Sequence, residues 1–445
     1  MRNIRLAFLF LLLVLSGAWL LADTLAPTPF TYFPFRTVFV QFTGVLAIGM
    51  MSVAMVLALR LRWIEQRLRG LDKVYRLHKW LGIGALVVAV VHWWWAQGTK
   101  WMVGWGWLER PVRGARQAGQ GLSEFEQWWR AQRGLAETLG EWAFYAAALL
   151  IVLALIKRFP YHLFRKTHTL LAPAYLVLAW HSLLLIKPEY WTQPTGWIMA
   201  LLLLAGSLSA LWVLAGRVGR SRRVSGVVAS LERYPGVRAM EGCIHLDEGW
   251  PGHLPGQFAF VTSRHSEGAH PYTIASAWDP QARNLVFVVK ALGDWTAQLP
   301  DYLKEGMPVT VEGPYGGFNF DDNQSRQIWI GAGVGITPFI AKMKHLAKHP
   351  TTQVIDLFHV TSEYDEVAMG KLAADAAAAN VRLHLHMTPE QGLLTAGQIR
   401  ALVPDWRDAS IWFCGPAPFG DALRKDFRQN GMPATHFHQE LFGMR

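Results

Sequence analysis

The sequence predicts a multidomain chain: a six-helix transmembrane bundle, then an antiparallel β-barrel, then an α/β domain built on a parallel sheet. Three observations predict it. Six apolar stretches in the first half suit bilayer spans of about 20 residues: Leu6 to Ala22, Val38 to Leu59, Leu77 to Trp95, Trp142 to Ile156, Leu170 to Ile186 and Trp197 to Ala215. After Arg223 the pattern changes to six short strands with Gly and Pro turns: 224–231, 237–246, 257–262, 271–275, 284–290 and 309–312. Such spacing reads as a small antiparallel barrel. Beyond the polar break Asp321-Asp322-Asn323-Gln324-Ser325, strands at 327–330, 354–359, 381–386 and 411–414 alternate with helical stretches, the first starting at Thr337 and another running from Ala373 to Ala379. That alternation argues a parallel sheet with crossover helices. The expected domains are 1–219, 220–322 and 323–445.

Charge supports the membrane reading. The chain carries a net charge of +11, which by itself would be compatible with nucleic acid. The basic residues gather in three loops instead: Arg60, Arg62, Arg67, Arg69, Lys73, Arg76 and Lys79; then Lys157, Arg158, Arg165 and Lys166; then Arg217, Arg220, Arg222 and Arg223. All three loops face one side, and the alternate loops are sparse or balanced. By the positive-inside rule both termini and the soluble half are cytoplasmic, and the protein is a multi-pass protein of the cell's inner (plasma) membrane. No nucleic-acid partner is needed to explain the charge. Arg2 and Arg5 before an apolar core, with Ser16-Gly17-Ala18 beyond it, also resemble a signal peptide. The run is longer than a usual signal core, so the expectation is retention. Cys243 and Cys414 fall in different predicted domains, which makes a structural disulfide improbable.

The stretch from Val74 to Trp95 carries the chemistry of the first half. His78 and His92 bracket its apolar span, fourteen residues apart. Fourteen helical residues advance about 20 Å and turn about 3.9 times, so both imidazoles lie near one face at opposite edges of the bilayer core. The span from Thr167 to Ile186 carries His168 and His181. Their thirteen-residue interval is only about 3.6 turns. Pro173 lies between them and provides the cause for a kink or bulge that rotates one half against the other. Two helices with two histidines each can hold two metal centres stacked across the membrane, and haem, ligated by imidazole from both sides, is the natural occupant. The alternative for each residue is a polar helix end, and His162, off register, is read that way.

The loop from Gln97 to Glu141 has Trp101, Trp105 and Trp107 before Arg110-Pro111, then Phe125, Trp128 and Trp129. It is read either as amphipathic pieces on the outer interface or as a loop packed over the bundle. In the soluble half, Gly331-Ala332-Gly333-Val334-Gly335-Ile336-Thr337-Pro338 follows a strand directly and opens a helix. Glycines let backbone N–H groups approach a phosphate, and Pro338 suits the first helical turn. An ordinary tight turn is the bland alternative. His270-Pro271-Tyr272-Thr273-Ile274-Ala275-Ser276 places an aromatic and two hydroxyls at one strand end, where the bland reading is a routine edge strand.

These residues carry a resemblance. The run from His270 to Ser276, Lys290 with Gly293-Asp294-Trp295-Thr296, Glu312-Gly313-Pro314-Tyr315-Gly316, Gly331 to Pro338, and Phe413-Cys414-Gly415-Pro416 resemble the ferric reductase and NADPH oxidase superfamily, whose dehydrogenase half is similar to ferredoxin reductases. The resemblance covers nearly the whole chain. It implies FAD on the barrel and NADPH or NADH as electron donor on the sheet domain. Tyr272 and Thr273 would contact the flavin ring, His270, Pro271 and Ser276 would belong to the cofactor site with Lys290, and Gly293 and Thr296 would meet the pyrophosphate. Gly331, Gly333, Gly335, Thr337 and Pro338 would cradle the nucleotide phosphates, and Cys414 and Gly415 would border the nicotinamide. Phe442 would cover the flavin, although the family's aromatic is usually terminal and Gly443-Met444-Arg445 follow it here.

The expected path runs from NAD(P)H through FAD to an inner haem on His78 and His168, then to an outer haem on His92 and His181, and out to an external acceptor. Ferric or other metal reduction is the favoured reading, with Lys100, Arg110, Arg113 and Arg116 attracting anionic chelates. Reduction of dioxygen to superoxide is the alternative, and a periplasmic redox protein is a third acceptor. Two rival classes are a haem-bearing quinol or dihaem carrier whose soluble half only docks a partner, and a transporter with a regulatory nucleotide domain. The carboxylates of Thr361-Ser362-Glu363-Tyr364-Asp365-Glu366 suit a ribose 2′-hydroxyl and favour NADH; a solvated acidic loop is the alternative.

Overall fold

The computed structural model of the chain describes residues 2–109, 123–156 and 158–440. It divides into two compact units, one built on Met1–Ile64 and Lys73–Val218, the other on Glu65–Asp72 with the chain from Gly219 onward.

The first unit is helical: α1 (Arg2–Ala22), α2 (Tyr32–Leu57), α3 (Arg62–Leu68), which runs into the second unit, α4 (Leu71–Gly104), α5 (Glu124–Ala131), α6 (Arg133–Leu155), α7 (Tyr161–Thr169), α8 (Leu171–Leu185) and α9 (Pro194–Leu214). Among the described residues, six helical spans are long and apolar enough to cross a membrane, the fifth formed by α7 and α8 together from Leu163 to Leu185. The fourth, α6, begins at Arg133, nine residues before the apolar run at Trp142. Apolar composition marks the part of a helix that meets lipid, whereas the helix itself continues into the interface because its backbone must stay hydrogen-bonded.

Close approach of these helices uses small residues, as expected where lipid is as apolar as the side chains. A Cβ on Gly206 of α9 would lie 2.0 Å from the Tyr175 hydroxyl of α8, which is also 2.8 Å from Ser52 Oγ of α2. Helix α1 belongs to this packing: Trp19 is wholly buried, its ring lies 4.9 Å from that of Phe42, and Thr195 Oγ1 donates to Ala18 O at 2.7 Å.

The second unit holds two sheets. The first contains β1 (Arg223–Tyr234), β2 (Ala239–Leu246), β3 (Phe258–Thr262), β4 (His270–Thr273), β5 (Asn284–Lys290) and, after helix α10 (Asp294–Tyr302), β6 (Pro308–Tyr315). Every pairing is antiparallel, in the order β4-β3-β6-β1-β2-β5. An antiparallel bridge from Ile274 to Phe287 joins the two edges, so the sheet curls into a barrel around Val228, Leu246, Ile274, Leu285 and Val311, all at most 1 % exposed.

The second sheet contains β7 (Arg326–Ala332), β8 (Val354–Thr361), β9 (Arg382–Met387), β10 (Ala409–Cys414) and β11 (Phe437–Glu440), connected through α11 (Thr337–Leu346), α12 (Glu366–Ala378), α13 (Thr388–Gln391), α14 (Ala396–Leu402) and α15 (Ala417–Gln429). All neighbours are parallel, in the order β11-β10-β7-β8-β9. The first strand is central and the chain moves outward to one side, then to the other. This doubly wound order creates a crevice where the direction reverses, between β7 and β10.

Asp356 ties three of these strands together. Its buried carboxylate accepts from Arg326 Nη1 at 2.6 Å, Arg382 Nη1 at 3.3 Å and His384 Nε2 at 3.0 Å. Burial works to raise its pKa, but the His384 hydrogen bond and the two guanidinium charges outweigh it and hold the carboxyl below its ordinary value of 3.8. A depressed folded pKa contributes stability that is complete above the unfolded value and lost as pH falls through the folded one. Asp356→Asn is therefore expected to cost about 1.5–3 kcal/mol at neutral pH, with the difference from wild type shrinking only below about pH 4. Thermal unfolding of the solubilised full chain across pH checks both statements.

Candidate redox and nucleotide sites

In the membrane unit His78 lies beside His168, and His92 shares a cavity with His181. The rings of His78 and His168 lie with centroids 5.9 Å apart. His92 and His181 line one cavity of about 290 Å³. The helix carrying His168 and His181 is interrupted at Leu170, between α7 and α8. Leu170 N–H turns to Thr167 O at 3.0 Å, a 3₁₀-type bond. The cause is Pro173: it has no N–H for Thr169 O and its ring crowds that carbonyl, so the break falls one turn before the proline. The side chain of His162 lies outside the described residues.

Three of the four imidazoles have the Nδ1 edge committed. His78 Nδ1 donates to Ala54 O at 2.9 Å, His92 Nδ1 to Val40 O at 3.0 Å and His181 Nδ1 to Ala136 O at 2.8 Å. A hydrogen bond at Nδ1 fixes the tautomer and leaves the Nε2 lone pair as the ligating edge. His168 Nδ1 is buried with no partner among the described residues. Space is provided beside the outer pair: a Cβ on Gly140 would fall 2.0 Å from His181 Nδ1, and one on Gly44 would fall 3.3 Å from the His92 ring. Gly44, Ala47, Ala85, Ala89, Ala147 and Ala148 line the cavity with them, giving a slot with small walls. Paired imidazoles with their Nε2 edges available, and at the outer pair a cavity walled in part by small apolar residues, fit a haem, the imidazoles suiting its iron and the cavity its macrocycle.

In the barrel, β4 lies at the end of the strand order, and its four residues are all half-buried. His270, Pro271, Tyr272 and Thr273 therefore stand, partly exposed, along the seam where the two edges of the sheet meet. The His270 ring stacks with Trp295 of α10 at 5.8 Å and 19°, which brings β4 and the start of α10 together. Thr296 Oγ1 accepts from the N–H groups of Leu292 and Gly293, both at 3.0 Å. It thus shapes the turn into α10 and leaves that helix's first N–H groups to serve an anion. Ser276 is buried and its hydroxyl accepts from Val286 N at 3.1 Å, which ties it to β5 and leaves its O–H to donate. Lys290 ends β5 and pairs with Glu363 Oε2 at 2.7 Å.

The glycine turn sits in the crevice between β7 and β10. Gly331 ends in β7, Gly333 has φ +57°, and Thr337 and Pro338 open α11 with the Thr337 hydroxyl donating to Val334 O at 2.6 Å. A Cβ on Gly335 would lie 2.2 Å from Cys414 O and 3.1 Å from Gly415 N, so the turn packs directly on the end of β10. The Cys414 thiol is fully buried, and burial, helped by the Glu440 carboxylate, pushes its pKa well up. What Cys414 presents to the crevice is its backbone. Phe442 lies outside the described residues. The sequence reading missed the carbonyl acceptors at Val40, Ala54 and Ala136, because a backbone group leaves no residue signature. It also missed Arg238, whose guanidinium meets Glu363 from a turn with no motif.

The sites define a class: a membrane bundle with paired histidines joined in one chain to a flavin- and nucleotide-binding reductase half. Comparison with known families agrees. Residues 43–179 match the ferric reductase like transmembrane component and residues 249–319 match an FAD-binding domain. The first match contains His78, His92 and His168, and the second contains His270 to Ser276, Lys290, Gly293 and Thr296. The chain carries the domain pairing of the ferric reductase and NADPH oxidase superfamily.

The curated relatives match less than half of the chain. The ferredoxin reductase component of a 3-ketosteroid-9-alpha-monooxygenase from Mycolicibacterium smegmatis is 31% identical over 195 residues, 42% of this chain and 55% of that protein. An NADPH oxidoreductase from Mycobacterium tuberculosis is 30% identical over 199 residues, 44% of this chain and 52% of that protein. The chain thus spans about half the length of the curated relatives it matches. A solved flavohem-like FAD/NAD-binding domain of nitric oxide dioxygenase from Vibrio cholerae superposes with a TM-score of 0.43 at 20% identity, covering 49% of this chain and 98% of that one.

Gly335→Ala forces its new Cβ into Cys414 O and must open the crevice. It is expected to weaken nucleotide affinity about tenfold, equivalent to about 1.4 kcal/mol, while flavin content per chain stays near wild type. Titration with nucleotide and a flavin absorbance ratio check the two halves of that statement.

Proposed function

We propose that this chain moves electrons from a reduced nicotinamide nucleotide on the cytoplasmic side to an acceptor across the membrane, with ferric or other metal complexes as the acceptor class. The observation that carries the reading is the coexistence, in one chain, of two histidine pairs at opposite ends of the same two membrane spans and a nucleotide crevice beside a flavin-binding barrel. His78 and His168 would hold one haem b and His92 and His181 a second. When bound, haem supplies a one-electron couple and FAD exchanges a hydride's two electrons for single ones, which is why a flavin belongs between nucleotide and iron.

The protein's own residues do the positioning. The carbonyls of Val40, Ala54 and Ala136 orient three imidazoles, and the β4 edge with the turn at Gly293 would seat the flavin and its pyrophosphate. The glycine turn at Gly331 to Gly335 would take the nucleotide phosphates. At the outer pair, Arg36, Lys100 and Arg133 line the same cavity as His92 and His181, against Glu137 and Glu141. Arg36 is held by Ala96 O at 2.9 Å and Thr99 Oγ1 at 2.9 Å. Three cations against two carboxylates favour an anionic acceptor such as a ferric carboxylate complex. Of the other cations expected there, Arg110, Arg113 and Arg116 lie outside the described residues.

NAD(P)H oxidation by the purified protein, followed with and without oxygen and ferric citrate alongside superoxide detection, tests the acceptor. Rapid anaerobic turnover on ferric citrate is the expected outcome; turnover that needs oxygen and yields superoxide would make the chain an oxidase. For the haem ligands, His78→Leu or His168→Leu is expected to remove one haem and His92→Leu or His181→Leu the other. Gly140→Ala, which leaves every histidine in place but drives its Cβ into the His181 ring, is expected to lower the outer haem's content as well. Haem per chain, measured by pyridine haemochrome, falls from two towards one in each case; two haems retained in a histidine variant would refute that assignment.

A further inference from the structure

We propose that Glu363 sets the choice of nucleotide by occupying the two cations that a ribose 2′-phosphate would otherwise use, so that the site takes NADH in preference to NADPH. The inference rests on the reading of the sheet domain as the nicotinamide nucleotide site and deepens it.

In a doubly wound sheet the pyrophosphate lies at the turn after the central strand, and the adenosine ribose lies over the end of the neighbouring strand. Here the central strand is β7 with its glycine turn, and the neighbour is β8, which ends at Thr361, two residues before Glu363. The turn beyond β8 is held firmly. Thr361 Oγ1 donates to Glu363 O at 2.9 Å and accepts from Glu363 N at 3.2 Å.

From this fixed turn the Glu363 carboxylate reaches the barrel and spends both oxygens. Oε1 accepts from Arg238 Nε at 2.9 Å, and Oε2 pairs with Lys290 Nζ at 2.7 Å. Lys290 and Thr361 line the same cavity of about 100 Å³ as Gly333 and Val334, so this ion-pair cluster borders the nucleotide crevice. A 2′-phosphate arriving there would meet a carboxylate, and the donors that could bind it are already turned towards that carboxylate.

Direct recognition of the ribose by the acidic loop is a different mechanism, and the side chains do not favour it. Asp365 accepts from Ala368 N at 3.1 Å as the cap of α12, and from Gly236 N at 2.9 Å. The carboxylates of Glu363 and Asp365 are thus engaged with the protein, and the charge balance around Arg238 and Lys290 is left to discriminate the 2′ substituent.

Glu363→Gln keeps the shape and removes the charge. In the full-length, flavin-loaded protein, the ratio of kcat/KM for NADPH to that for NADH is expected to rise at least tenfold. Affinity for adenosine 2′,5′-bisphosphate relative to ADP, measured by calorimetry without turnover, is expected to rise in parallel. Adding Arg238→Gln to Glu363→Gln should remove most of that gain, because one of the released cations is gone. An unchanged ratio in Glu363→Gln, a gain that survives Arg238→Gln undiminished, or a wild-type preference for NADPH would each overturn the proposal. Wild-type turnover of NADH reports separately on the underlying reading, and wild-type protein that oxidises neither nucleotide would overturn both.

Discussion

The membrane unit depends on a register between two helices. His78 and His92 of α4 give their Nδ1 protons to Ala54 O and Val40 O of α2. The interval from Val40 to Ala54 is fourteen residues, 54 − 40, and that from His78 to His92 is fourteen, 92 − 78, so the two bonds form equivalent rungs between antiparallel helices. Inside a bilayer no water can take an unpaired N–H, and each unmet polar group costs several kcal/mol. A carbonyl that accepts at Nδ1 therefore does two things at once: it satisfies the buried ring, and it points the Nε2 lone pair away from the helix that holds it. The glycine at 140 follows from this arrangement, since a ring pinned against a neighbouring backbone leaves no room for a Cβ there, and the one at 44 sits where a Cβ would crowd the His92 ring.

The second unit applies the same economy to its motif residues. Thr296 and Ser276 have hydroxyls that the family resemblance implies as cofactor contacts, and each also accepts from a backbone N–H, at the start of α10 and across to β5. Gly335 and Cys414 meet through backbone atoms, and the thiol is packed away in the core of the sheet. These residues prepare a surface of main-chain donors where strand meets helix. Main-chain N–H groups at a helix start are aligned with its dipole and cannot rotate away, which suits them to phosphate better than mobile side chains.

The barrel and sheet are joined by ion pairs as well as by packing. Lys371 of α12 pairs with Glu232 and donates to Tyr234 of β1 at 2.8 Å, while Arg238 and Lys290 converge on Glu363. Half-exposed surface pairs contribute little to stability one at a time. Their effect here is on the charge of the cleft, because cations that would otherwise face a phosphate are matched before any ligand arrives.

The sequence by itself determined what is local or periodic. Hydrophobic length marked the six spans, alternation marked the barrel strands, and the glycine turn between strand and helix was readable because each signal is carried by neighbouring residues. The thirteen-residue spacing with Pro173 even located the interruption between α7 and α8, since a missing N–H acts within one turn of its own chain. Helix ends were less legible. Helices α4 and α6 continue as far as Gly104 and back to Arg133, beyond their apolar runs, because hydropathy records contact with lipid while backbone hydrogen bonding sets helix length. Only the tertiary structure decided which carbonyl each imidazole meets, which hydroxyls are already spent, and that Glu363 faces Arg238 and Lys290 rather than water. The imidazole and Glu363 contacts join residues between 24 and 125 positions apart, and even the short-range hydroxyl contacts end on backbone groups; backbone partners and common charged side chains leave no pattern along the chain.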